Sequence, residues 1–89
     1  MVKPYTEIVE ENVKTRTFSE TVDAKDLVWH RDRNDRQVTV VEGTGWMIQY
    51  DNQLPKLIEV GKPFFISAGE YHRLHKGNGS LKLKIKEMI

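Results

Sequence analysis

The sequence predicts an all-β fold, a sandwich or barrel of about eight short strands. Three observations lead there: helical periodicity is hard to find, apolar and polar residues alternate in short runs, and Gly and Asn punctuate those runs at short spacing. Lys14–Phe18 is the first run that reads as a strand, rich in β-branched residues. The five residues Met1 to Tyr5 read as a frayed start. Asp26–His30 reads as a strand ending in a polar cluster from Arg31 to Arg36. Gln37–Glu42 and Trp46–Tyr50, separated by Gly43-Thr44-Gly45, carry a hairpin signature. Leu57–Val60, Phe64–Ser67 and Tyr71–His75 follow as short strands. In the last segment Leu81, Leu83 and Ile85 alternate with Lys82, Lys84 and Lys86. Period two puts the apolar set on one face and the ammonium groups on a solvated outer face, where they also discourage edge-to-edge pairing.

The chain has 89 residues, one domain's worth over 1–89. Fourteen basic and thirteen acidic side chains leave a formal charge of +1, which gives no electrostatic case for a nucleic-acid partner. Cys is absent, which excludes disulfides and thiolate metal sites. No run approaches the ~18–20 apolar residues of a membrane span, and no secretory signal is visible, so the expected compartment is cytoplasmic. A chain this small gains buried area by pairing, so a homodimer is expected.

Two clusters combine histidines with turn glycines. The first is His30-Arg31-Asp32, then Arg36, then Gly43; the second is Gly61, then Ser67-Ala68-Gly69, then His72 and Lys76. Residues two apart on a strand face the same way, so His30 and Asp32 project together, away from Trp29 and Arg31. Arg36 shares parity with Val38 and Val40. His72 shares parity with Leu74, which makes His75 the poorer candidate, and Tyr71 and Arg73 look outward. The register around Trp46 stays open: a two-residue loop aligns Met47 and Gln49 with Val38 and Val40, whereas a three-residue loop aligns Trp46, Ile48 and Tyr50. Gln49 is accordingly a candidate hydrogen-bonding residue of the pocket.

These clusters resemble, with matching spacing, the two motifs of the cupins, small jelly-roll β-barrels. The resemblance covers roughly Asp26 to Ile89. It implies a cupin-like jelly-roll barrel, with N-terminal strands exchanged between two subunits, and a divalent metal held by the motif histidines. His30 and His72 carry over. Asp32 stands where the family has its second histidine, Arg36 where it has glutamate, Ala24 for the leading glycine, Ser67 for proline and Lys76 for asparagine. The order His-any-Asp with a distant His also resembles the triad of the iron- and oxoglutarate-dependent oxygenases. Asp32 is a competent ligand, and two imidazoles with one carboxylate suit non-haem Fe(II), though Mn, Zn and Ni fit the same donors. Arg36 carries a fixed positive charge and cannot bind metal.

Two readings follow. In one, His30, Asp32 and His72 hold the metal while Arg36 grips a small polar or anionic metabolite by a bidentate pair. In the other, Asp32 and Arg36 form an internal ion pair in a metal-free small-molecule binding module.

Overall fold

The structure, a computed structural model, describes residues 3–88. Its strands are β1 (Thr6–Glu10), β2 (Val13–Phe18), β3 (Asp35–Thr44), β4 (Met47–Tyr50), β5 (Lys56–Leu57), β6 (Phe64–Ile66), β7 (His72–His75) and β8 (Asn78–Met88). They form a five-stranded sheet, β1-β2-β8-β3-β6, facing a three-stranded sheet, β5-β4-β7. The fold is all-β, as the alternation predicts.

β8 organises the larger sheet. It pairs antiparallel with β2 on one side and with β3 on the other. Its period-two apolar set, Leu81, Leu83 and Ile85, is buried and meets Val38 and Val40 of β3 across the ladder. Each such side chain contributes roughly 1.5–3 kcal/mol on burial. Lys84 and Lys86 are exposed on the opposite face. Because β8 lies between two strands, these lysines guard no sheet edge; they solvate an outer face only.

The expected hairpin of β3 and β4 does not form. β3 stays on β8 as far as Thr44, opposite Asn78, with register shifts around Glu42, while β4 pairs with β5 and β7 in the other sheet. The chain therefore changes sheets at Gly45-Trp46. Bulges bend and twist a strand, which turns it out of one sheet's plane. Trp46, Ile48 and Tyr50 are buried and Met47 is exposed, so β4 turns inward the face that a three-residue loop predicts, although no hairpin register exists. Gly43 (φ 147°) lies under Leu81, whose Cδ1 would meet an added Cβ at 2.7 Å.

Three segments depart from the sequence reading. Instead of a strand over Asp26–His30, Ala24–Asp26 forms a 3-10 turn, with the Asp23 carboxylate accepting from the Lys25 N–H at 3.0 Å. Asp side chains compete well for backbone donors, which favours a capped turn. The Leu57–Val60 segment is split between sheets: β5 ends at Leu57, and Val60 makes an isolated parallel bridge to Val40. At the N-terminus, Tyr5 is not frayed; it packs on Phe18 with ring centroids 5.3 Å apart. Met1 and Val2 lie outside the described residues. β1 follows directly and pairs with β2 of the same chain. Its Ile8 and Val9 are exposed, so it lacks the half-buried alternation by which strands are recognised.

Gly77 sits against the sheet-switching segment. A Cβ there would collide with backbone atoms of Thr44, Gly45 and Trp46. Gly69 has open space around it but a φ of 78°. Chemical denaturation should therefore show Gly77→Ala losing at least ~2 kcal/mol through overpacking of immovable backbone. Gly69→Ala should lose about 1–2 kcal/mol from its left-handed conformation alone.

Candidate metal centre

The site is built by two turns that clasp each other. Gly69, at φ 78°, ends the turn before β7, and its N–H donates to the Asp32 carbonyl at 2.9 Å. The neighbouring Ala68 N–H donates to Asp35 Oδ1 at 2.7 Å. Just beyond, His30 and His72 form an isolated antiparallel bridge, each N–H donating to the other's carbonyl at 3.0 and 2.9 Å. Directly opposed residues of such a pair project to the same side. The two imidazoles accordingly enter one cavity, with ring centroids 4.3 Å apart.

The backbone then selects the tautomers. His30 Nδ1 lies 2.9 Å from the Val28 carbonyl, and His72 Nδ1 lies 2.8 Å from the Glu70 carbonyl. A carbonyl only accepts, so both Nδ1 atoms donate, and a neutral ring keeps its lone pair on Nε2. Asp32, two residues beyond His30, completes the group: one ligand-type atom from each of His30, Asp32 and His72 lies within 4.8 Å of the others. His72 is buried, whereas His30 stands at the mouth with an exposed edge. Desolvation lowers the pKa of His30, which favours the neutral ring.

Asp32 is the electrostatic pivot. Burial pushes its pKa up, but the adjoining His72 and the Arg36 charge outweigh that and hold it below the usual carboxylate range. Its Oδ1 lies 3.2 Å from Arg36 Nη1. Its Oδ2 is buried, lacks a hydrogen-bond partner, and lies 3.3 Å from His72 Nε2. With Nδ1 as donor, a neutral ring would set two lone-pair atoms face to face, whereas a doubly protonated ring would donate Nε2–H to Oδ2, the hydrogen bond by which His72 favours the Asp32 carboxylate. The contact needs a cation or a proton between the two atoms.

Arg36 does point inward, and it is already engaged. Its Nη2 donates to Glu87 Oε1 at 3.0 Å. Glu87 also accepts from Lys14 Nζ at 2.9 Å and from Asn34 Nδ2 at 3.2 Å. Lys14 first, then Asn34 and Arg36, draw the Glu87 pKa down from 4.5 to about 2 against the opposing effect of burial. Sequence reasoning missed Glu87, although it continues the parity of Leu81, Leu83 and Ile85. Gln49 is a correction: it lies on the outer face of β4, donating to the Gln53 carbonyl and bonded to His75 Nε2, because Ile48 and Tyr50 take the inward face of that strand. Trp29 and Tyr71 are outward, as parity predicts, with Arg31 stacked on Tyr71.

The cavity has a volume of about 300 Å³. His30, Asp32, His72 and Arg36 line it, with apolar walls that include Phe18, Leu27, Phe64, Ile66 and Leu83. Arg16, also missed from sequence, lines it beside Tyr5.

Glu87 sets an acid limit on stability. Its pKa is depressed on folding, so its contribution is full above about 4.5 and is lost as pH falls towards about 2. Unfolding followed against pH should show Glu87→Gln less stable than wild type at pH 7, with the difference shrinking over that window.

No protein-family model and no curated protein matches the chain. Solved structures do resemble it. A cupin-2 domain protein from Shewanella frigidimarina aligns with a TM-score of 0.66 and 20% identity, over 94% of this chain and 79% of its own. A protein of unknown function (DUF1255) from Acinetobacter sp. ADP1 gives 0.70 and 9%, over 99% and 98%. The iron(II) form of HppE in complex with substrate gives 0.69 and 20%, over 99% of this chain and 55% of its own. The chain thus spans about half the length of that enzyme chain. Together with the facing sheets and the clasped turns, these likenesses make the fold a cupin-like jelly roll.

Proposed function

We propose that His30, Asp32 and His72 hold a divalent metal ion, and that the adjoining cavity binds a small polar or anionic metabolite. The observation that carries this reading is the buried, partnerless Asp32 Oδ2, 3.3 Å from His72 Nε2. A cation bound there would satisfy both atoms and the nearby His30. The donor set of two imidazoles and one carboxylate leaves open coordination positions and suits non-haem Fe(II), with Mn, Zn or Ni as alternatives. The iron bound by the structurally similar HppE supports the same choice. Such an ion supplies Lewis acidity, or activation of water or dioxygen, at an open position. The chain's own residues do the rest: Arg36 fixes one Asp32 oxygen, the two carbonyls orient the imidazoles, and the apolar walls keep bulk water from the ligand.

A second reading is favoured by the Asp32–Arg36 ion pair at 3.2 Å. In it the same cavity is a metal-free binding module. In either reading the protein is one domain over 1–89, acting in the cytoplasm as a homodimer on a small molecule, with neither nucleic acid nor membrane as partner. The near-neutral charge supports the exclusion of a nucleic-acid partner. The exposed Ile8 and Val9 of β1 supply apolar surface for pairing.

Elemental analysis of protein purified without an affinity tag should find near-stoichiometric Fe, Mn, Zn or Ni. Adding the bound metal back to chelator-treated protein should raise its stability by about 2.7 kcal/mol at a hundred times Kd. Both His72→Ala and Asp32→Asn should abolish that gain. A melting temperature indifferent to all four metals would instead select the metal-free module. There Asp32→Asn costs about 1–3 kcal/mol by weakening the partnership of a buried guanidinium.

A further inference from the structure

We infer that Arg16, rather than Arg36, is the anion-gripping residue of the cavity, and that it takes the carboxylate of a small monocarboxylic acid whose apolar body lies along the neighbouring wall. The inference deepens the reading above and depends on the metal only for what meets the ligand's other end.

The cavity presents two guanidinium groups, and their surroundings differ. Arg36 divides its terminal nitrogens between Asp32 and Glu87, as described above. Its Nε is buried and unpartnered, but the two terminal nitrogens that would form a two-pronged edge are divided between two carboxylates. Arg16 is held differently. Its Nε donates to Glu7 Oε2 at 2.7 Å, and its central carbon lies 3.9 Å from the centre of the Tyr5 ring. The side chain is only 11% exposed. One edge and one face of the guanidinium are thus fixed. The ion pair of Arg16 with Glu7 runs through Nε and the residue lines the cavity, and it is the Nη1–Nη2 edge that we assign to the ligand. That edge has the planar two-donor geometry that matches a carboxylate. Fixing it in advance removes much of the side-chain entropy that binding would otherwise cost.

The neighbours define the rest of the ligand. Phe18 lies two residues on along the same face of β2, and Leu83 is the cross-strand partner of Arg16. Both line the cavity. An apolar body attached to the carboxylate therefore meets apolar surface. Asp26 also lines the cavity and disfavours a doubly charged head. At the ~30 Å³ that one water takes up in the liquid, the cavity of about 300 Å³ holds roughly ten non-hydrogen atoms.

The test uses chelator-treated protein, with hexanoate as the probe and hexanamide as its uncharged counterpart. Amide-resolved NMR titration should show hexanoate shifting the Arg16 and Phe18 signals, with hexanamide at least tenfold weaker. Arg16→Gln should weaken hexanoate at least tenfold. Arg16→Lys, which keeps the charge and loses the fork, should fall between. Gln49→Ala, on the outer face, should match wild type within twofold. Equal affinity for hexanoate and hexanamide would overturn the proposal without any variant, and so would undiminished binding by a folded Arg16→Gln. Because no metal is present, failure of the metal reading shows up in the elemental analysis and leaves this result standing.

Discussion

The site depends on one pairing: the antiparallel bridge between His30 and His72. It joins two turns that are distant in the chain and makes both imidazoles project to the same side. The chain before His30 is otherwise irregular, so two backbone hydrogen bonds carry the alignment there. The Gly69 N–H on the Asp32 carbonyl adds a third point of attachment just beyond. Three such bonds over so short a stretch leave the backbone little freedom. The Nδ1 contacts to Val28 and Glu70 then fix the rings themselves. The orientation of the Nε2 lone pairs is therefore a backbone property, set before any ligand arrives.

Charge is distributed along a row of groups, Lys14, Glu87, Arg36 and Asp32. An arginine alone with a carboxylate tends to form a two-pronged pair covering both oxygens. Here Glu87 takes one terminal nitrogen, so Arg36 reaches Asp32 through the other, at Oδ1. Oδ2 remains uncovered. The position that reads as an inverted charge in the motif is thus balanced by a carboxylate from the last strand. Lys14 and Asn34 in turn hold that carboxylate ionised and in place. Arg36 steadies Asp32 while leaving it one oxygen for other chemistry.

Much of this was legible because strand parity and turn glycines are local properties. His72 favoured over His75 follows from period two in β7, whereas His30 and Asp32 come together through the bridge to His72 and the turn beyond it, not through a strand. The alternation of β8 likewise marks its core face. What failed required knowledge of sheet membership. A glycine-bearing break between two strands reads as a hairpin, yet here Gly45-Trp46 carries the chain into the opposite sheet. That choice also decides the face on which Gln49 lies. The 3-10 turn at Ala24–Asp26, capped by Asp23, ends where the sequence predicts a strand to begin, and the run that follows finds a ladder partner only at His30. Glu87 and Arg16 were passed over for a related reason. A charged residue in phase with a core face looks like the end of the pattern. Only the arrangement of neighbouring strands shows that Arg16 lines the cavity and that Glu87 braces Arg36.

The two guanidiniums illustrate how one residue type takes two roles. Both extend inward from the larger sheet, both are largely buried, and both touch a carboxylate. The difference lies in which nitrogens are used. Arg36 has its terminal nitrogens divided between two carboxylates from opposite sides, which makes it a brace. Arg16 meets its carboxylate through Nε and has an aromatic ring against its face, which keeps the terminal pair together as a fork. A brace resists displacement because moving it would expose two buried carboxylates at once, whereas a fork accepts a ligand without breaking any contact. The proposed recognition of an anion accordingly falls at β2, where Glu7 and Tyr5 hold the guanidinium in place.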